Sequence, residues 1–324
     1  MPQMGSTSIR NQSGTLNFSK GGSTSIYLDQ NASTASDKND GYSWGRPKKT
    51  FAGVTDILEP WMEIFARPGI YQENVVIDEE NVIIHGLVQA GPDRVEIAPI
   101  SGVPLDVQVG YVELEGLALV SSNSSVCKLT GPGHHLHDLY VEVNVDDGAQ
   151  YSGVLLNDAD KLHFHDNHLN GRYYLNTVGV RLDGTLNASV DCFIHDNYFE
   201  KFGTVATAGI GVDLNNAQRC LLTKNIFDSC YNGMVCEVHP NSLHTICGNQ
   251  FYANASVDIC DLNPIQQDSG IWINNNYFGY AGWNVSHNNS GIASVPVQCY
   301  YNYDMSPLAY PHYQGPSFVP RYVA

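Results

Sequence analysis

Arg181, Asp213, Glu237 and Asp261 each follow the apolar start of a recurring phrase, seen as Val178-Gly-Val-Arg-Leu182, Ile210-Gly-Val-Asp-Leu214, Met234-Val-Cys-Glu-Val238 and Cys260-Asp-Leu262. Stacked in one outward column, one base and three acids would suit carbohydrate chemistry. Glycoside cleavage uses two carboxyls, about 5–5.5 Å apart for retention and about 6.5–9.5 Å for inversion. Asp213, Glu237 and Asp261 are therefore the candidate catalytic residues, with Arg181 anchoring an acid group of the substrate. Like charges on neighbouring levels raise a carboxyl's pKa unless a cation intervenes. The same oxygens would suit Ca2+, and solvated surface acids are the plain alternative.

Two further columns carry chemistry-bearing side chains. One holds His85, Glu115, His137, His165 and His195, with His135 and His163 one outward step away. Stacked imidazoles suit a transition metal or a pH response, although a repeat also propagates a surface residue by duplication. The other holds Tyr140, His168, Tyr198 and Tyr277, rings that would form a platform for sugars or an ordinary β-surface. No CxxC or Cys/His spacing has zinc-site form, so neither a metal site nor a cofactor is assigned.

These columns exist only if the chain coils. A phrase recurs as Phe164-His-Asp-Asn-His-Leu169, Ile194-His-Asp-Asn-Tyr-Phe199, Leu222-Thr-Lys-Asn-Ile-Phe227, Ile246-Cys-Gly-Asn-Gln-Phe251 and Ile273-Asn-Asn-Asn-Tyr-Phe278. With its looser early copies, the residues before the Asn position are Gly86, Gly116, Asp138, Asp166, Asp196, Lys224, Gly248 and Asn275. Their steps are 30, 22, 28, 30, 28, 24 and 27 residues. Such a period means a solenoid. Apolar and polar residues alternate as in strands, with Gly, Asn and Asp between, and no unit contains a run of helix formers. The sequence predicts an all-β, right-handed parallel β-helix whose recurrent Asn stacks coil over coil.

The opening coil is more specific. Asp40-Gly-Tyr-Ser-Trp44, Pro47-Lys-Lys-Thr-Phe51 and Pro68-Gly-Ile-Tyr-Gln-Glu-Asn-Val75 resemble the start of right-handed parallel β-helix proteins of the pectin-lyase-like superfamily. That superfamily includes polysaccharide lyases, glycoside hydrolases and bacteriophage tailspikes, the last closest in character. The resemblance covers residues 26 to 300 and implies a short N-terminal helix, Phe51 to Leu58, capped by Thr50 and sealing the solenoid. It does not extend to catalytic motifs. The R-x-x-P-x-x-R of pectate-lyase-like enzymes is absent, and Asp146-Asp147 matches only one of the four polygalacturonase-like segments.

The chain has 324 residues, 43% of them hydrophobic, and a net charge of −17, enough for one elongated domain. The charge disfavours nucleic acid and anionic membrane as partners, and no apolar run reaches transmembrane length. Cys192 and Cys220 are expected to share one inward column and Cys236 and Cys260 another, as core thiols. Residues 1–25 read as an extended polar arm, 26–297 as the solenoid and 298–324 as an aromatic, Pro-rich tail. The start lacks a basic-then-apolar leader. Together these features predict a virion protein made in the host cytoplasm: a homotrimeric spike, fibre or capsid decoration joined to other virion proteins by its arm and binding host surface glycan. A polysaccharide depolymerase, with a secreted or extracellular location, is the alternative.

Overall fold

The structure, a computed structural model, describes residues 24–304 apart from 88–92, 146, 159, 184–188, 204–208, 216, 237–242, 262–270, 280–282, 288–296 and 301–302. The arm through residue 23 and the tail from 305 lie outside the described residues. Among those described, the strands form parallel sheets of eleven, ten and nine strands, here sheets 1, 2 and 3, plus a two-stranded pair. From Glu63 to His287 each coil contributes one strand to each of the three sheets in turn. The molecule is a parallel β-helix, the architecture that the opening residues implied. Strands Val297–Tyr300 and Tyr303–Asp304 continue sheets 1 and 2, so the coiling runs past residue 297. Among the described residues no helix is long and apolar enough to cross a membrane.

The corner between sheets 1 and 2 explains the marker residues. Gly116, Asp138, Asp166, Asp196, Lys224, Gly248 and Asn275 all have positive φ, between 52° and 68°. Gly, Asn and Asp tolerate that left-handed bend best. The Asn after the bend turns inward. Asn167, Asn197, Asn225, Asn249 and Asn276 are buried, and the amides of the first four each donate to the next coil's Oδ1 at 2.9–3.0 Å. The same Nδ2 atoms also donate to a carbonyl of the preceding coil, as Asn225 does to Ile194 at 2.9 Å. The ladder thus satisfies buried backbone that a tight corner leaves unpaired.

Inside, Phe199, Phe227, Phe251 and Phe278 stack at 4.9, 4.9 and 5.2 Å. They press on glycines of sheet 3: a Cβ on Gly211 would come within 2.6 Å of the Phe227 ring, and one on Gly233 within 2.7 Å of Phe251. The helix Phe51–Thr55, shorter than the stretch to Leu58, closes one end. Its Gly53 N–H donates to Thr50 Oγ1 at 2.9 Å, and both Glu73 oxygens accept from Phe51 and Ala52 N–H groups.

Cys192 and Cys220 are both buried free thiols, and their hydrogen bond together with burial raises the Cys220 pKa well above its ordinary value. The second cysteine pairing needs correction, because Cys236 lies beside Leu214 and Asp261 whereas Cys260 lies beside Val235.

Candidate functional site

The acidic column of sheet 3 does not form as expected. Arg181 does lie beside Asp213, but the next partner of Asp213 is Val235, and Asp261 lies beside Cys236. Glu237 and the side chain of Asp261 fall outside the described residues. Register is set by the glycines: Gly179, Gly211 and Gly233 each back onto a phenylalanine ring, and counting two residues on gives Arg181, Asp213 and Val235. Asp213 is buried, with Arg181 Nε 3.7 Å from its Oδ2 and 3.5 Å from Asp183 Oδ2. It is an ion-pair partner beneath the surface rather than one of three exposed acids.

Sheet 2 brings more together. Tyr140, His168 and Tyr198 occupy three successive coils. Ile226 and Gln250 separate them from Tyr277. The rings are not coplanar: His168 meets Tyr140 edge-on at 5.3 Å and Tyr198 at 5.1 Å with a 50° tilt. Two residues further along each strand runs a second outward column, Glu142, Asn170, Glu200, Asp228 and Tyr252.

The columns are cross-linked. Tyr140 Oη donates to Glu142 at 2.7 Å and Tyr198 Oη to Asp228 at 2.8 Å. Asn170 donates to Glu200 at 2.6 Å. His168 Nε2 lies 3.2 Å from Glu200 Oε1, within ion-pair range but out of line for a hydrogen bond. Arg172 pairs with Glu142 at 2.8 Å and Lys201 with Glu200 at 3.0 Å. Arg94 lies 4.9 Å over the Tyr140 ring and pairs with Glu96. Burial and the Glu142 carboxylate push the Tyr140 hydroxyl up to about 12, so it stays a donor.

Sequence reasoning found the ring column and missed Arg94, Glu142, Arg172, Glu200 and Asp228. A signal existed, because four successive phrases end with Glu142, Asn170, Glu200 and Asp228, two residues after the ring position.

On sheet 1 the histidine column forms as written. His85, Glu115, His137, His165 and His195 lie on successive coils, beside Glu113, His135 and His163. The His-x-His spacing puts two imidazoles on one strand face. The Asp at each positive-φ bend turns back to hold the preceding histidine: Asp138, Asp166 and Asp196 bond the Nδ1 atoms of His137, His165 and His195 at 2.9, 2.7 and 2.7 Å.

Titration differs across this array. Burial alone would raise Glu113, but hydrogen bonds from His135 and His137 prevail and take it to about 2. His137, against the pull of burial, is raised to about 9 by Glu113 and Asp138. His163 is lowered to about 3 by burial and by the surrounding imidazoles. Elsewhere, burial lowers His134 and His244 to about 4.

An acid limb follows. His134 and His244 have folded pKa values below their ordinary 6.5, so the unfolded chain binds more protons as pH falls. Their stabilisation is full above 6.5 and is lost as pH falls towards 4, on the order of 3 kcal/mol for each of these two buried rings. Denaturant unfolding at pH 7, 5.5 and 4.5 should show the decline, and His244→Gln should flatten it. A free energy constant across that range would contradict the assignment.

No protein-family model and no curated sequence matches the chain. Among solved structures, XylC with xylose is similar over 86% of this chain and 69% of its own, with 10% identity and a TM-score of 0.49. Pectate lyase Pel9A is similar over 89% and 81%, with 13% identity and a TM-score of 0.38. The product of ORF18 of Geobacillus virus E2 is similar over 87% and 61%, with 11% identity and a TM-score of 0.35. None is similar enough to carry chemistry to this chain.

Proposed function

We propose that this β-helix recognises a neutral glycan laid across the coils of sheet 2. One observation carries the reading: a ring column and a largely acidic polar column run side by side, Tyr140 with Glu142, His168 with Asn170 and Tyr198 with Glu200, continued by Asp228 and Tyr252. Ring faces and edges contact the apolar faces of sugars, and carboxylates accept hydroxyl hydrogens in strong charge-assisted bonds. Charge selects the class of glycan. Arg172 and Lys201 are each paired with an acid of the sheet, Glu142 and Glu200, so neither is an uncompensated cation held ready for a uronate. We place the protein in a virus particle as a homotrimeric spike, fibre or decoration. Support for that setting is the sequence's tailspike-like opening coil, polar arm and lack of lyase and polygalacturonase motifs.

A depolymerase is the second reading, favoured by Glu200 and Asp228 on adjacent coils. Adjacent strands lie about 4.8 Å apart, close to the retaining separation of about 5–5.5 Å.

A glycan array followed by titration tests recognition. Neutral oligosaccharides should bind, and Tyr198→Ala or Glu200→Gln should weaken binding about 30-fold, roughly 2 kcal/mol. Undiminished binding by both variants would remove sheet 2 from the account. A reducing-end assay on the same ligands separates the two readings: new ends that disappear in Asp228→Asn would establish cleavage, and none would leave recognition alone.

A further inference from the structure

We propose that His135, His163 and His165 form a binding site on sheet 1 for one late transition metal ion of the Zn2+ type. Each offers a ring nitrogen within 4.8 Å of the other two. All three side chains are partly exposed, leaving room for a solvent ligand. Tetrahedral Zn2+ with nitrogen bonds of about 2.0–2.1 Å needs donors about 3.4 Å apart, a spacing reached by small side-chain rotations.

Tautomer chemistry supports imidazole ligation here. Asp166 holds His165 Nδ1 at 2.7 Å. A ring that donates Nδ1–H to a carboxylate carries its lone pair on Nε2, the outer-shell arrangement that orients metal-bound histidine. That Nε2 faces His135 Nε2 at 2.8 Å, and one coil on, His195 Nε2 faces His163 Nε2 at 2.7 Å. Each contact joins two atoms that are both natural metal donors, and without a metal one of them must carry a proton. The neighbouring set Glu113, His135 and His137 differs, since His137 is already held between Glu113 and Asp138. Imidazole donors without a thiolate or a ring of carboxylates favour Zn2+, Ni2+ or Cu2+ over Ca2+.

The test is calorimetric titration of chelator-treated full-length protein with Zn2+, paired with Co2+ absorption spectra. Wild type should bind one ion per chain with submicromolar affinity, unaffected by excess Ca2+, and Co2+ should give the intense visible bands of a four-coordinate site. His135→Asn/His163→Asn should weaken Zn2+ at least 100-fold. Asp166→Asn should weaken it about tenfold, and His85→Asn should leave it unchanged. Circular dichroism establishes that each variant is folded, and His165→Gln replaces the double variant should that one not fold. No saturable Zn2+ binding by wild type, or wild-type affinity in the folded ligand variants, would overturn the site.

Discussion

Asn225→Leu should lower the unfolding free energy by about 4 kcal/mol, measured by guanidinium chloride denaturation followed by circular dichroism. The Asn225 amide takes part in four side-chain bonds at the buried corner. Its Oδ1 accepts from Asn197 N at 3.2 Å and Asn197 Nδ2 at 2.9 Å, and its Nδ2 donates to Ile194 O at 2.9 Å and Asn249 Oδ1 at 3.0 Å. Leucine has similar bulk but offers no partner. Each buried group left unpaired costs roughly 1–3 kcal/mol, and partial relaxation brings the sum to about 4. A loss below about 1 kcal/mol would mean that the neighbouring coils re-pair without the amide.

Phe227→Ala should cost about 3–5 kcal/mol by the same measurement, through a different term. The ring is fully buried between Phe199 and Phe251, at 4.9 Å from each. Its removal opens a cavity bounded by rigid coils, and the backbone of Gly211 on the facing sheet supplies no side chain to fill it. Adding Gly211→Ala should not rescue Phe227→Ala, because a Cβ at Gly211 would also lie 2.6 Å from the Gly233 carbonyl oxygen, backbone that stays in place when the ring is gone. Stability recovered in the double variant would contradict this account of the glycine column.

Much of the fold was legible because a solenoid repeats its constraints. From Asn167 to Asn276 an Asn recurs at the corner of each coil, and the residue before it takes positive φ, so both stood out in one sequence. The histidine column was placed in register because His137, His165 and His195 each directly precede that bend. The sheet 3 column was misaligned for a physical reason. Reading Glu237 as the successor of Asp213 counted from apolar residues, whereas Gly211 and Gly233, pressed on Phe227 and Phe251, fix the register. The acids of sheet 2 were missed because Glu142, Glu200 and Asp228 acquire meaning only when coils stack, with Tyr140, Arg172, Asn170, Lys201 and Tyr198 supplied as partners partly from neighbouring coils.

Hydrogen–deuterium exchange, with and without the best neutral oligosaccharide from the array, tests glycan recognition by sheet 2 most directly. The account predicts slowed exchange in peptides spanning residues 140–142, 168–172, 198–201 and 226–228, with 163–165 on sheet 1 unchanged. Protection confined to another face, or none at saturating ligand, would contradict it.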